Sequence, residues 1–144
     1  MNRFLLALSI ALIVVIDQAA DAAQVKAYDI VINPHGASLA AYQVELIAED
    51  THARIVGVEG GDHPAFRKAP YYDPEALETG RIVIAAFDTG ADLPAQPTRI
   101  ATVHMIEPDK CDCGYALDLT VAVDPDGNDI DADIELLPVE GETR

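Results

Sequence analysis

The chain contains no tryptophan, three phenylalanines and five tyrosines, so aromatic residues make up only 6% of it. A row of exposed rings, the usual platform for stacking on sugars, has little to be built from. Basic residues are scarce as well. Nine Lys and Arg stand against 25 Asp and Glu, a formal net charge of −16. A surface of that sign repels nucleic acid and anionic lipid and favours cations, basic partners or neutral ligands such as glycans. Two cysteines cannot make a disulfide framework. Beyond residue 22 the only serine is Ser38, and it lacks the Gly-x-Ser-x-Gly setting of an activated nucleophile. No carboxylate stands alone in an apolar stretch that would raise its pKa. Enzyme activity is therefore not expected.

The one long apolar run, Phe4 to Ile16, is too short for a membrane span of about 20 residues. It follows Arg3 and precedes the small residues Ala19, Ala20 and Ala22. This is the pattern of a secretory leader cut after Ala22, and it implies a periplasmic or extracellular protein. No cysteine follows the run to carry a lipid, so the membrane is reached only through an uncleaved leader. A single domain over 23–138 and a polar tail over 139–144 remain. Without Arg3, Asp17 and Asp21, the count becomes 8 basic and 23 acidic residues. Apolar residues are too many, and too regularly placed, for a disordered acidic chain.

Their placement has a period of two. In AYQVELIAED, Tyr42, Val44, Leu46 and Ala48 point one way, and Gln43, Glu45 and Glu49 the other. YALDLTVAV predicts Tyr115, Leu117, Leu119, Val121 and Val123 inward, and DIDADIELL predicts Ile130, Ala132, Ile134 and Leu136 inward. RIVIAAF (81–87) and RIATVHMI (99–106) are apolar on both faces, as central strands are. Turn signals separate these runs: NPHG, GGDHP, FDTGADLP, EPDKCDCG and DPDGND. Only DPEALE (73–78) suits a helical turn. The pattern predicts an all-β antiparallel sandwich of about seven strands.

Three segments carry candidate chemistry. In VDPDGNDIDADIE, Asp124, Asp126 and Asn128 occupy the first, third and fifth places of a calcium-loop pattern. The glycine that pattern needs at its sixth place is Asp129, and the flanks alternate like strands. The segment reads as a hairpin turn with Gly127 at positive φ. Weak calcium binding at Asp124, Asp126 and Asn128 is the alternative, and no cofactor is required. Cys111 and Cys113 leave three readings open: a disulfide loop staple, free or intermolecular thiols, or a metal or redox site, which would need further ligands. EGGDHPAF (59–66) reads as a strand end that needs a flexible backbone. PYYDP offers Tyr71 and Tyr72, of which at least one packs into the core and one is free for a sugar or a partner.

In their order and spacing, LAAYQVELIAED, ARIVGVEGG, GRIVIAAF and TRIATVHM resemble the cohesin family. The match includes the acidic turn Glu49-Asp50 and the Val-x-Val strand ending in glycine, and it extends from about Val25 to Leu137. The family's Pro-Gly-Asp turn is replaced by NPHG, and the Cys-x-Cys loop is not a family feature. The resemblance implies a jelly-roll sandwich of seven to nine strands, related to carbohydrate-binding modules. It also implies a non-catalytic protein that binds a dockerin-like or other envelope protein through one sheet face, with calcium held by the dockerin. By position, Gln43, Glu45 and Ile47 would form that face, with Tyr71 and Tyr72 as further binding candidates. A polysaccharide ligand is the first alternative, and a metal- or redox-responsive Cys-x-Cys loop the second.

Overall fold

The computed structural model describes residues 22–141. The expected leader, apart from Ala22, and the last three residues of the tail lie outside the described residues. Seven strands follow in chain order: β1 (Ala23–Asn33), β2 (Ala41–Ala48), β3 (Arg54–Gly60), β4 (Arg81–Phe87), β5 (Thr98–Pro108), β6 (Tyr115–Val123) and β7 (Asp133–Pro138). All pairings are antiparallel. They build a four-stranded sheet of order β3-β5-β1-β7 and a three-stranded sheet of order β4-β2-β6. The expected all-β sandwich is the observed architecture. Among the described residues the only helical pieces are two single 3-10 turns, Pro64–Phe66 and Pro74–Ala76, the second within DPEALE.

Every connection between consecutive strands changes sheets. β1, β3, β5 and β7 lie in one sheet and β2, β4 and β6 in the other. The inner rows of the two sheets bury each other. Ile30, Ile32, Ile55, Ile100, Val103 and Met105 face Tyr42, Val44, Leu46, Ile82 and Ile84, all at most 2% exposed. Tyr42 fits this apolar layer because its hydroxyl donates to the Ile100 carbonyl at 3.4 Å. Its ring meets the edge of Phe66 at 5.1 Å between centroids.

Phe66 reaches the core from the EGGDHPAF loop, which folds back over the end of β3. A Cβ on Gly60 would stand 2.0 Å from the Arg67 carbonyl oxygen, and one on Gly61 would stand 2.0 Å from that of Arg99. Both are glycines because backbone passes where a side chain would be. The strand-end reading of this loop holds, and its purpose is to seat Phe66.

Three details differ from the sequence reading. Arg81–Phe87 is an edge strand, not a central one. Its free edge is partly closed by Tyr71, which exchanges two backbone hydrogen bonds with Ala85, at 2.8 and 2.9 Å. In β6 the alternation slips at a bulge: Val44 pairs with Leu119 but Gln43 with Val121, leaving Thr120 over. Ala122 therefore points inward and Val121 outward, reversing the expectation for Val121 and Val123. Thr120 secures the bulge by donating to the Gln43 carbonyl at 3.1 Å. Finally, DPDGND closes a single bridge, Val123 to Asp129, before the chain crosses to the other sheet. β6 and β7 are thus not partners in a hairpin. β7 does follow its predicted phase, with Ile130, Ala132, Ile134 and Leu136 packed against the core. Pairing extends one residue into the tail, where the Val139 N–H donates to Ala27 at 3.0 Å.

Phe66→Ala is expected to destabilise the domain by about 3–5 kcal/mol, the usual cost of emptying a buried aromatic site. Urea unfolding measures this, and a loss below about 1 kcal/mol would mean that the loop does not anchor the core.

Candidate functional site

The outer face of the three-stranded sheet is formed by alternate residues of β2, β4 and β6. Gln43 lies between Ala85 and Val121, Glu45 between Val83 and Asp118, and Ile47 between Arg81 and Ala116. At the other end Ala41 lies between Phe87 and Val123. The structure thus brings Gln43, Glu45 and Ile47 onto one open face. Tyr71 joins them from its bridge to Ala85, 72% exposed, with its ring stacked on Phe87 at 6.3 Å and 15°. Tyr72 does not join, because it packs against the core. The two tyrosines divide as the sequence suggests, one inward and one outward. Phe87 and Val121 were not singled out in the sequence. The edge position of β4 exposes the first, and the Thr120 bulge turns out the second.

Among the described residues six large apolar side chains are exposed, and four of them, Ile47, Tyr71, Phe87 and Val121, lie on this face. Its charges are few. Glu45 pairs with Arg81 across the strands, and Asp118 is the remaining acid on the paired rows. The outer face of the four-stranded sheet is different. Arg99 makes a two-pronged ion pair with Asp62 and donates to Thr102, which donates to Asp29; His104 lies 3.4 Å from Glu59. Around Arg99 that face is polar and its charges are paired, while Val25 and Leu137 stand apart on it as exposed apolar residues.

The acidic turn is locked by its own backbone. The Asp124 carboxylate accepts from the Asp126 and Asn128 N–H groups, each at 2.9 Å, and from the Asn128 side-chain amide at 3.1 Å. These bonds, the backbone N–H of Asn128 first, hold the Asp124 carboxyl below its ordinary value. Gly127 has φ +81°, as a turn there requires. The residues named as a calcium set, Asp124, Asp126 and Asn128, thus make a turn in which Asp124 is already engaged.

Cys111 and Cys113 form a disulfide in the loop between β5 and β6. The loop lies against the turn after β2, to which the Glu49 N–H ties it through the Gly114 carbonyl at 2.9 Å. That turn presents Asp50, whose Oδ2 is 3.7 Å from the Cys111 sulfur, and His52, whose Nδ1 is 3.1 Å from Asp50 Oδ1. The His52 backbone N–H, 2.7 Å from the same oxygen, is the main reason the Asp50 carboxyl sits below its ordinary value. A cleft of about 560 Å³ opens beside the disulfide, lined by Asp50, His52, Arg54, Lys110, Cys111 and Asp112.

Among the described residues one carboxylate, that of Glu107, is buried, but it does not stand alone. Glu107 continues the inner row of β5 after Val103 and Met105 and is 1% exposed. Tyr28 donates to its Oε1 at 2.6 Å, Tyr115 donates to the same oxygen, and the Lys26 ammonium lies 2.6 Å from Oε2. Burial pushes this carboxyl up, but Lys26 and the two hydroxyls outweigh burial and hold it below its ordinary value. Burial and the adjacent carboxylate push the Tyr28 hydroxyl up to about 12, and Tyr115 is raised for the same reasons. The row's period of two was the available signal, since it predicts Glu107 inward.

No family model, curated protein or solved structure matches the chain, so its function is read from these residues.

Glu107 stabilises the fold in its charged form. Its folded pKa lies below the ordinary value of 4.5, so this stability is complete above that value. It is lost as the pH falls through the folded pKa. Unfolding measured from pH 6 to pH 3 should show the loss, and Glu107→Gln should flatten that part of the curve while lowering stability at pH 7 by about 1–3 kcal/mol, because the half-exposed Lys26 is left solvated and Gln still accepts from the hydroxyls. An unchanged acid limb in the variant would show that other carboxylates carry it.

Proposed function

We propose that the chain is an exported, non-catalytic binding module that takes a protein partner on the outer face of its β4-β2-β6 sheet. The observation that carries this reading is the gathering of Ile47, Tyr71, Phe87 and Val121 on one face of a strongly acidic protein. Exposed apolar side chains gathered on one surface are the mark of an interaction site. Aromatic residues at the centre of an interface carry much of the binding energy. Gln43 offers a hydrogen-bonding group between the apolar ends, and the Glu45–Arg81 pair leaves little net charge. The partner is therefore recognised mainly through apolar contact and shape. The resemblance to cohesins supports a sheet face as the binding surface and a dockerin-like or other envelope protein as the partner class. It equally supports the jelly-roll type of sandwich.

A second reading, a polysaccharide ligand, draws on the Tyr71–Phe87 pair. The two rings are nearly parallel and exposed, beside a cleft lined by Pro64, Phe66, Lys68 and Asp88. A sugar could stack there. Ile47 and Val121 lie on the other two strands of the face and extend the apolar surface past the ring pair, which favours protein.

Residues 23–144, immobilised and exposed to extract from the producing organism, should retain a protein identifiable by mass spectrometry. Ile47→Arg and Phe87→Asp should each weaken that binding at least tenfold, with the melting temperature little changed. Raising the salt should weaken it little. Retention of polysaccharide alone, lost in Tyr71→Ala but kept in Ile47→Arg, would transfer the function to the second reading.

A further inference from the structure

The Cys-x-Cys loop has no histidine of its own, and the fold brings a distant carboxylate to its two sulfurs. Asp50 is 61 residues away in the chain, yet its carboxylate and both cysteine sulfurs lie within 4.8 Å of one another. Among the described residues this is the only such group of three or more His, Cys, Asp or Glu. We propose that Cys111, Cys113 and Asp50 form a redox-gated site for a soft or borderline divalent ion such as Zn²⁺, closed in the disulfide form and opened by reduction.

The chemistry follows from the ligand types. Two thiolates and one carboxylate make a three-ligand set suited to zinc, with a fourth place for water or for the His52 ring beside Asp50. A tetrahedral zinc at about 2.3 Å from each sulfur would set the sulfurs roughly 3.8 Å apart. The Cα atoms of Cys111 and Cys113, 5.1 Å apart, allow that spacing through side-chain rotation. Three anionic ligands on a divalent ion leave one negative charge, and Lys110 lines the same cleft to offset it. The cleft gives an ion a path from solvent.

In the oxidised protein the two sulfurs are bonded to each other and cannot act as thiolates. A dithiol reductant opens the site. It delivers two electrons and two protons to the disulfide, giving two thiols, and itself becomes a disulfide. The ion then displaces the two thiol protons. A disulfide oxidant reverses the exchange: the two thiolates give it two electrons and join as a disulfide, it takes up two protons from solvent and becomes a dithiol, and the ion is released. The acidic turn at Asp124 offers only oxygen and amide groups, so it cannot produce a thiolate signature.

The full chain would be titrated with Co²⁺ before and after reduction by a phosphine, with the reductant removed under anaerobic conditions. The reduced protein should bind one equivalent and develop thiolate-to-cobalt charge-transfer absorption, which Zn²⁺ should bleach. The oxidised protein should develop none. Asp50→Asn should keep the absorption but weaken Co²⁺ binding about tenfold or more. The double variant Cys111→Ser, Cys113→Ser should lose the absorption, with circular dichroism confirming that it folds. The absence of the band in reduced protein, or equal Co²⁺ affinity in the double variant, would overturn the proposal. So would unaltered affinity in Asp50→Asn.

Discussion

The constraint on which this structure rests is that neither sheet has a core without the other. Consecutive strands alternate between sheets, so no two neighbours in the chain pair with each other. β1 pairs with β5 and β7, and β2 with β4 and β6, and all of these pairings are distant in sequence. Such contacts close long loops before they stabilise anything, so the inner apolar rows must supply the drive. Ile30, Ile32, Ile55, Ile100 and Met105 on one side need Tyr42, Val44, Leu46, Ile82 and Ile84 on the other. The outer faces contribute little to that core and are free to differ.

They differ in kind. One has paired charges around Arg99 with two separate exposed apolar residues, Val25 and Leu137, and the other gathers four exposed apolar residues around Gln43. The difference does not come from the strand pattern alone. Phe87 is exposed because β4 has no strand beyond it, only the single bridge to Tyr71, and Val121 because Thr120 occupies a bulge. A sandwich tolerates both because each lies outside the shared core. The polar exception inside the core is Glu107, which satisfies two hydroxyls and an ammonium at once. An unpaired charge there would cost several kcal/mol, roughly as much as a small domain has to spare.

Much of this was legible in the sequence. The period of two in β2 and β7 predicted which side chains face inward, and the turn signals marked the breaks between strands. The phase of β6 was not legible, because a bulge is decided by the partner strand and leaves Thr120 looking like any outward residue. The edge position of β4 was hidden for a related reason. RIVIAAF is apolar on both faces, and composition does not distinguish a strand with a neighbour on each side from one at the edge of its sheet. The calcium-like spacing at Asp124 was legible but ambiguous, since the same acids make hydrogen bonds that hold a tight turn.

The cysteine loop shows where linear reading stops. Asp50 and His52 lie in EDTHAR, a stretch with no ligand spacing of its own, and Cys111 and Cys113 lie in a loop with no histidine. Only the pairing of β2 with β6 joins them: it sets Ala48 opposite Tyr115, and the Glu49 N–H extends the ladder to Gly114. The same two strands carry Ile47 and Ala116 on the outer face, next to the ladder's end. The apolar face and the cysteine loop are therefore successive parts of one strand pair. A ligand at either place would influence the other only by binding two arrangements of that ladder end unequally.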